Sequence, residues 1–71
     1  MTYKDISSIT IKAFNLFNDD KITLFEYDLI NKYLQELQED GHIKTFYKNV
    51  ADFFKSEGYT VIQEKYYYII K

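Results

Sequence analysis

Ile22-Thr23-Leu24-Phe25-Glu26-Tyr27, preceded by Asn18-Asp19-Asp20, is the stretch on which the fold turns. Thr23 and Glu26 have the spacing of a capping box, in which the threonine hydroxyl accepts from the amide three residues on and the carboxylate reaches back to the threonine amide. Ile22 and Tyr27 stand where a hydrophobic staple fixes the angle at which the chain enters the helix. Asn18-Asp19-Asp20 favours a turn, because short polar side chains bond their own backbone and tolerate left-handed geometry. A helix therefore begins just after Thr23, and a separate element ends near Asn18.

Upstream of the turn, Ile6, Ile9, Ala13, Leu16 and Phe17 follow helical spacing, which predicts a first helix over residues 3–18 with Thr2 and Asp5 placed to cap it. Downstream, Tyr27, Ile30, Tyr33, Leu34 and Leu37 form one apolar stripe, so the second helix runs to about Glu39 and Gly41 supplies the left-handed cap. A third helix is expected after Thr45 as N-cap, carrying Phe46, Val50, Phe53 and Phe54 inward and stopping at Gly58. Tyr59-Thr60-Val61-Ile62 and Tyr66-Tyr67-Tyr68-Ile69-Ile70 are β-branched and aromatic, and Gln63-Glu64-Lys65 reverses the chain between them. The turn lacks Asn-Gly or Asp-Gly, which leaves the register open, and either Ile22 or Ile43 is placed to add a short third strand. An isolated two-stranded ribbon is marginal in water and must pack on the helices. The expected fold class is α+β, with three helices followed by a C-terminal β-hairpin in a single domain over residues 1–71.

Composition bounds the function. At 71 residues there is room for one core. The absence of cysteine removes disulfides, thiolate metal sites and thiol nucleophiles. No apolar run approaches the roughly 20 residues that span a bilayer, and Met1-Thr2-Tyr3-Lys4-Asp5 lacks the build of a signal peptide, so a cytoplasmic protein without membrane contact is expected. Phe, Tyr, Met, Ile, Asn and Lys fill 37 positions while Gly, Ala, Arg and Pro together fill four, the mark of an AT-rich genome. Net charge is −2, unevenly spread: residues 1–40 carry four Lys against eight acids, residues 41–71 five Lys against three. An acidic surface suits a basic partner and a basic one an acidic partner.

The order of helix, turn, capped helix, helix and terminal hairpin resembles the winged helix-turn-helix family in topology. That resemblance implies DNA binding, with the third helix offering Lys48, Asn49, Lys55 and Ser56, His42, Lys44 and Thr45 preceding it, and Gln63 and Lys65 in the wing. Against it, the chain has no Arg to read guanine in bidentate fashion, and Asp52, Glu57 and Glu64 lie in the same region and repel phosphate. Residues 13–27 superficially resemble an EF-hand. Asn18 to Glu26 spans nine residues rather than the twelve such a loop needs and has no Gly, so no metal is expected there.

Catalysis finds no support either. His42 is the single histidine and no phosphate-binding loop accompanies it, so neither an enzyme nor a cofactor is expected. His42 directly follows Gly41, where it suits the carbonyl end of the second helix. Eight Tyr and six Phe exceed what a core of this size easily buries. Tyr66, Tyr67 and Tyr68 are consecutive, so strand alternation sends Tyr67 to the opposite face from its neighbours. Tyrosine is favoured at interfaces because its ring buries area while its hydroxyl stays hydrogen-bonded. The sequence therefore points to a stoichiometric protein-binding protein, of a size and composition that suit a phage or mobile-element accessory that regulates or inhibits host machinery. The candidate contacts are Glu36, Glu39 and Asp40 on the acidic second helix and Tyr66, Tyr67 and Tyr68 on the last strand. A DNA-binding regulator using Lys44, Lys48, Asn49, Lys55 and Lys65 is the alternative, and a homodimer or self-assembling subunit a third arrangement.

Overall fold

The capping box forms as its spacing requires. In the computed structural model, which describes residues 6–71, Thr23 is the N-cap of a helix Leu24–Asp40, and its hydroxyl accepts from the Glu26 amide at 3.1 Å. The Glu26 carboxylate in turn accepts from the Thr23 amide at 2.8 Å. Ile22 and Tyr27 are both half-buried against the core, as a staple demands. The preceding helix, α1, covers Ile6–Asn18 and the capped helix is α2. The expected caps Thr2 and Asp5, and the start of the first helix, lie outside the described residues.

The element order continues with β1 (Ile43–Thr45), α3 (Lys48–Ser56), β2 (Val61–Gln63) and β3 (Tyr68–Ile70). The class is α+β, and the C-terminal hairpin fits a wing. The third strand comes from Ile43, not Ile22. It pairs antiparallel with β3, which lies at the centre of the sheet in the order β1-β3-β2. Ile43 opposes Ile70, and Ile70 opposes Val61 on the other side.

All three helices end on a left-handed residue. Gly41, at φ 80°, donates its amide to the Leu37 carbonyl and closes α2. At the end of α3 the Tyr59 amide reaches the Phe54 carbonyl and the Gly58 amide the Lys55 carbonyl, with Gly58 at φ 93°. Tyr59 then sets its ring edge-on to Phe54 at 5.4 Å, the hydrophobic contact that commonly seals such an end. The end of α1 repeats the two bonds, Lys21 amide to Leu16 carbonyl and Asp20 amide to Phe17 carbonyl, but the left-handed residue is Asp20 at φ 59°. A side chain in that region carries a steric cost that glycine avoids. Asp20→Gly is therefore expected to raise the melting temperature by about 2–4 °C, a net gain of about 0.5 kcal/mol after the extra freedom of glycine in the unfolded chain is counted. Thermal denaturation followed by circular dichroism checks this, and a lower melting temperature would mean that the aspartate side chain itself stabilises the turn.

One buried cluster lies between the helices and the inner face of the sheet. Ile9 and Ala13 come from α1, Ile30, Leu34 and Leu37 from α2, Val50, Ala51, Phe53 and Phe54 from α3, and Ile43 and Ile70 from the strands. Each Ile, Leu, Val and Phe among them contributes about 1.5–3 kcal/mol on leaving water, against the conformational entropy of the ordered chain.

Two expectations for the segment before α3 are corrected. Thr45 is not the N-cap: it is fully buried on β1 opposite Tyr68, and its hydroxyl accepts from the Tyr47 amide at 3.2 Å. Tyr47 holds the cap position without a side-chain hydrogen bond. Phe46 does not point inward either and is 67 % exposed. Strand alternation governs residues 43–46, putting Ile43 and Thr45 into the core and Lys44 and Phe46 outside. The hairpin turn also begins two residues later than expected, at Lys65 rather than Gln63. Gln63 pairs with Tyr68 inside the ladder, and the Glu64 amide donates to the Tyr67 carbonyl, so Lys65 and Tyr66 make the reversal.

Candidate functional site

The sheet has two faces of different character. Ile43, Thr45 and Ile70 are buried, and Val61 and Tyr68 pack against the core, so this side faces the helices. Alternation then places Lys44, Ile69 and Ile62 in one row across the other side, since Lys44 opposes Ile69 and Ile69 opposes Ile62. Phe46, Tyr67 and Glu64 form the next row. The Phe46 and Tyr67 rings meet edge to face at 6.3 Å, and the Lys44 ammonium sits 4.7 Å from the Tyr67 ring centre. Lys71 and Thr60, joined by two backbone hydrogen bonds, complete the face. Ile62, Ile69 and Tyr67 are only half-buried and do not belong to the core cluster. The result is an apolar centre of Phe46, Tyr67, Ile69 and Ile62 with Lys44, Lys71, Glu64 and Thr60 around it.

The expected protein contacts divide. Tyr67 lies on this outer face and Tyr68 on the inner one, as alternation requires. Tyr66 belongs to the turn rather than the strand, 74 % exposed, with the Lys65 ammonium 5.3 Å from its ring centre. Glu36 is half-buried, while Glu39 and Asp40 are exposed in the last turn of α2. Glu39 accepts from the Gln35 side chain, and the His42 ring lies 3.3 Å from the Asp40 carbonyl, at the helix end where the residue was expected. Sequence reasoning missed Phe46, Ile62 and Ile69. No local signal turns Phe46 outward, because Ile43-Lys44-Thr45-Phe46 is apolar at both ends and Phe46 also has helical spacing to Val50.

The candidate DNA contacts are distributed over α3, the sheet and the hairpin turn, and two of those on α3 have partners within the chain. Lys48 pairs with Asp52 at 3.1 Å, and the Asn49 amide donates to the Glu26 carboxylate at 3.1 Å. Lys55 shares α3 with these two, Lys44 lies on the sheet, and Lys65 in the turn. Asn49 bonded to Glu26 and Phe25 set edge-on to Tyr47 at 5.2 Å together fasten the start of α3 to the start of α2.

Those hydrogen bonds hold the Glu26 carboxyl below its ordinary range. The Thr23 amide contributes most, against a modest opposing effect of burial, and the Asn49 amide and Thr23 hydroxyl add to it. A depressed carboxyl pKa stabilises the fold above the unfolded value, near 4.3, and the contribution disappears as pH falls through the folded value. Glu26→Gln keeps an acceptor but not the charge. Its melting temperature is expected to lie below that of the native protein at pH 7 and to converge with it as pH falls through and below the depressed pKa of the Glu26 carboxyl. A constant difference between the two across that range would show that the charge on Glu26 contributes nothing. On Tyr59, burial chiefly, and then the neighbouring Glu57 charge, raises the phenol pKa and keeps it neutral.

A cleft of about 320 Å³ opens between α1 and α3, with Leu16 and Phe53 as its apolar lining. Lys12 and Glu57 pair at 3.0 Å beside Asn15, Asp19 and Ser56, and the Ser56 hydroxyl donates to the Phe53 carbonyl. Lys12 and Glu57 satisfy each other, and among the described lining residues neither a nucleophile with a base nor an oxyanion-binding pair is assembled. Among the described residues no helix is long and apolar enough to cross a membrane, and no group of three or more His, Asp or Glu is placed to hold a metal ion. Compared with protein-family models, with curated proteins and with solved structures, the chain matches none.

Proposed function

We propose that this is a stoichiometric binding protein that docks another protein on the outer face of its sheet. The observation that carries the reading is Phe46, 67 % exposed beside Tyr67, Ile69 and Ile62 on a face that no helix among the described residues covers. An apolar, aromatic centre within a polar rim is the anatomy of a protein interface, where a few buried aromatic anchors supply most of the affinity. Isolated exposed apolar residues are ordinary, whereas one exposed phenylalanine continuous with three half-buried apolar side chains on a single face is a surface of a different kind. The acidic end of α2, with Glu36, Glu39 and Asp40, provides a second contact.

A winged-helix DNA reader is the second reading, favoured by the hairpin after α3. Affinity capture from a host lysate, with and without nuclease, distinguishes the two. A protein retained in stoichiometric amount after nuclease treatment is the expected result. Recovery of nucleic acid alone, with salt-sensitive duplex binding lost on Lys48→Glu and Lys55→Glu, would replace protein docking by the DNA reading.

A further inference from the structure

We infer that the outer face of the sheet recognises an acidic, apolar segment of a partner protein, with carboxylates meeting Lys44 and Lys71 and an apolar side chain seated on Phe46, Ile62 and Ile69. This rests on the protein-docking reading and names the chemistry of the occupant. The charge of the face is the first argument. Lys44 and Lys71 lie beside the apolar row, and Glu64 is the one acid among the residues of the three rows, on the opposite edge strand from Lys44. Complementary charge steers encounter and fixes register, and a like charge at the same place is strongly unfavourable. The whole chain is acidic, at −2, so this cationic face is a local feature set against the overall charge.

Two other occupants fit less well. A second copy using the same patch would form a two-fold contact in which the cationic face meets itself. Single-stranded nucleic acid would use the lysines for phosphate and needs open aromatic faces for its bases. Here the Tyr67 ring already carries the Lys44 ammonium at 4.7 Å, and the middle of the face is Ile69 and Ile62, which present no ring. Aliphatic side chains flanking one exposed phenylalanine instead suit an apolar protein side chain.

The test is selection from a displayed library of random peptides, about twelve residues long, on the immobilised protein, followed by fluorescence anisotropy with the selected peptides. Enrichment of Asp or Glu next to aliphatic or aromatic residues is expected. Lys44→Glu with Lys71→Glu should weaken those peptides by about tenfold or more and, used as bait, should select Lys-bearing or Arg-bearing peptides instead. Unchanged melting of the double variant establishes that the loss is not unfolding, and weakening should shrink as salt rises. No enrichment, enrichment without acids, or indifference to charge reversal overturns the inference. So does Phe46-dependent binding of a labelled oligothymidine, or a light-scattering mass of twice the chain that Phe46→Ala abolishes. A protein partner captured through Phe46 but showing no acidic preference would overturn this inference alone. A captured partner insensitive to Phe46→Ala would remove the docking face itself.

Discussion

Phe54→Ala is expected to lower the melting temperature by about 15–30 °C and to leave much of the protein unfolded at 37 °C. Phe54 is fully buried, with its ring edge-on to Phe53 at 5.5 Å and to Tyr59 at 5.4 Å. It also supplies the carbonyl that receives the Tyr59 amide where α3 turns into the hairpin. Removing the ring leaves a cavity between α3 and the start of β2, at a cost of about 3–5 kcal/mol. A 71-residue domain has only about 4–10 kcal/mol in total, so this one change consumes most of it. Urea and thermal denaturation give the number directly. A loss under about 1 kcal/mol would mean that the neighbouring chain closes over the site and that the core does not depend on this ring.

Phe46→Ala removes the same side chain from a position eight residues earlier, and the expected outcome is the reverse. The ring is mostly in water and meets the Tyr67 ring edge to face, so stability should change by less than about 1 kcal/mol. Affinity for a protein docked on the sheet should fall by about thirtyfold or more, the effect of losing an aromatic anchor at the centre of an interface. Titration of the captured partner, with melting curves on both proteins, separates the two quantities. Unchanged affinity would exclude this face as the docking surface. Tyr66→Ala is the useful control, because that ring is equally exposed but lies in the turn, outside the apolar rows, and a smaller loss is expected there.

The contrast between these two phenylalanines explains how far the sequence could be read. Val50, Phe53 and Phe54 were legible as core because helical spacing and burial agree. Phe46 sits at a spacing that also suits the helix, four residues before Val50, and nothing local to residues 43–47 tells a helix start from a strand end. The difference is made by β3, whose Ile70 pairs with Ile43 from 27 positions away. That pairing puts Thr45 into the core, uses its hydroxyl for the Tyr47 amide, and turns Phe46 outward. The candidate face was partly legible, since alternation alone separated Tyr67 from Tyr68. Which of the two would face water required knowing where the helices pack.

By itself, the sequence determined the start of α2, the ends of α2 and α3, and the class: the Thr23–Glu26 box, the left-handed Gly41 and Gly58, and the aromatic strands after residue 58. Those signals act over three to six residues, so the local chain carries all the information they need. Only the tertiary structure decided that β1 joins the sheet, that β3 is its centre, and that Lys44, Phe46, Ile62, Tyr67, Ile69 and Lys71 share the outer face of the sheet. Strand pairing is a contact between distant segments, and the side of a sheet that meets water is set by where the helices cover it, which no short window of residues contains.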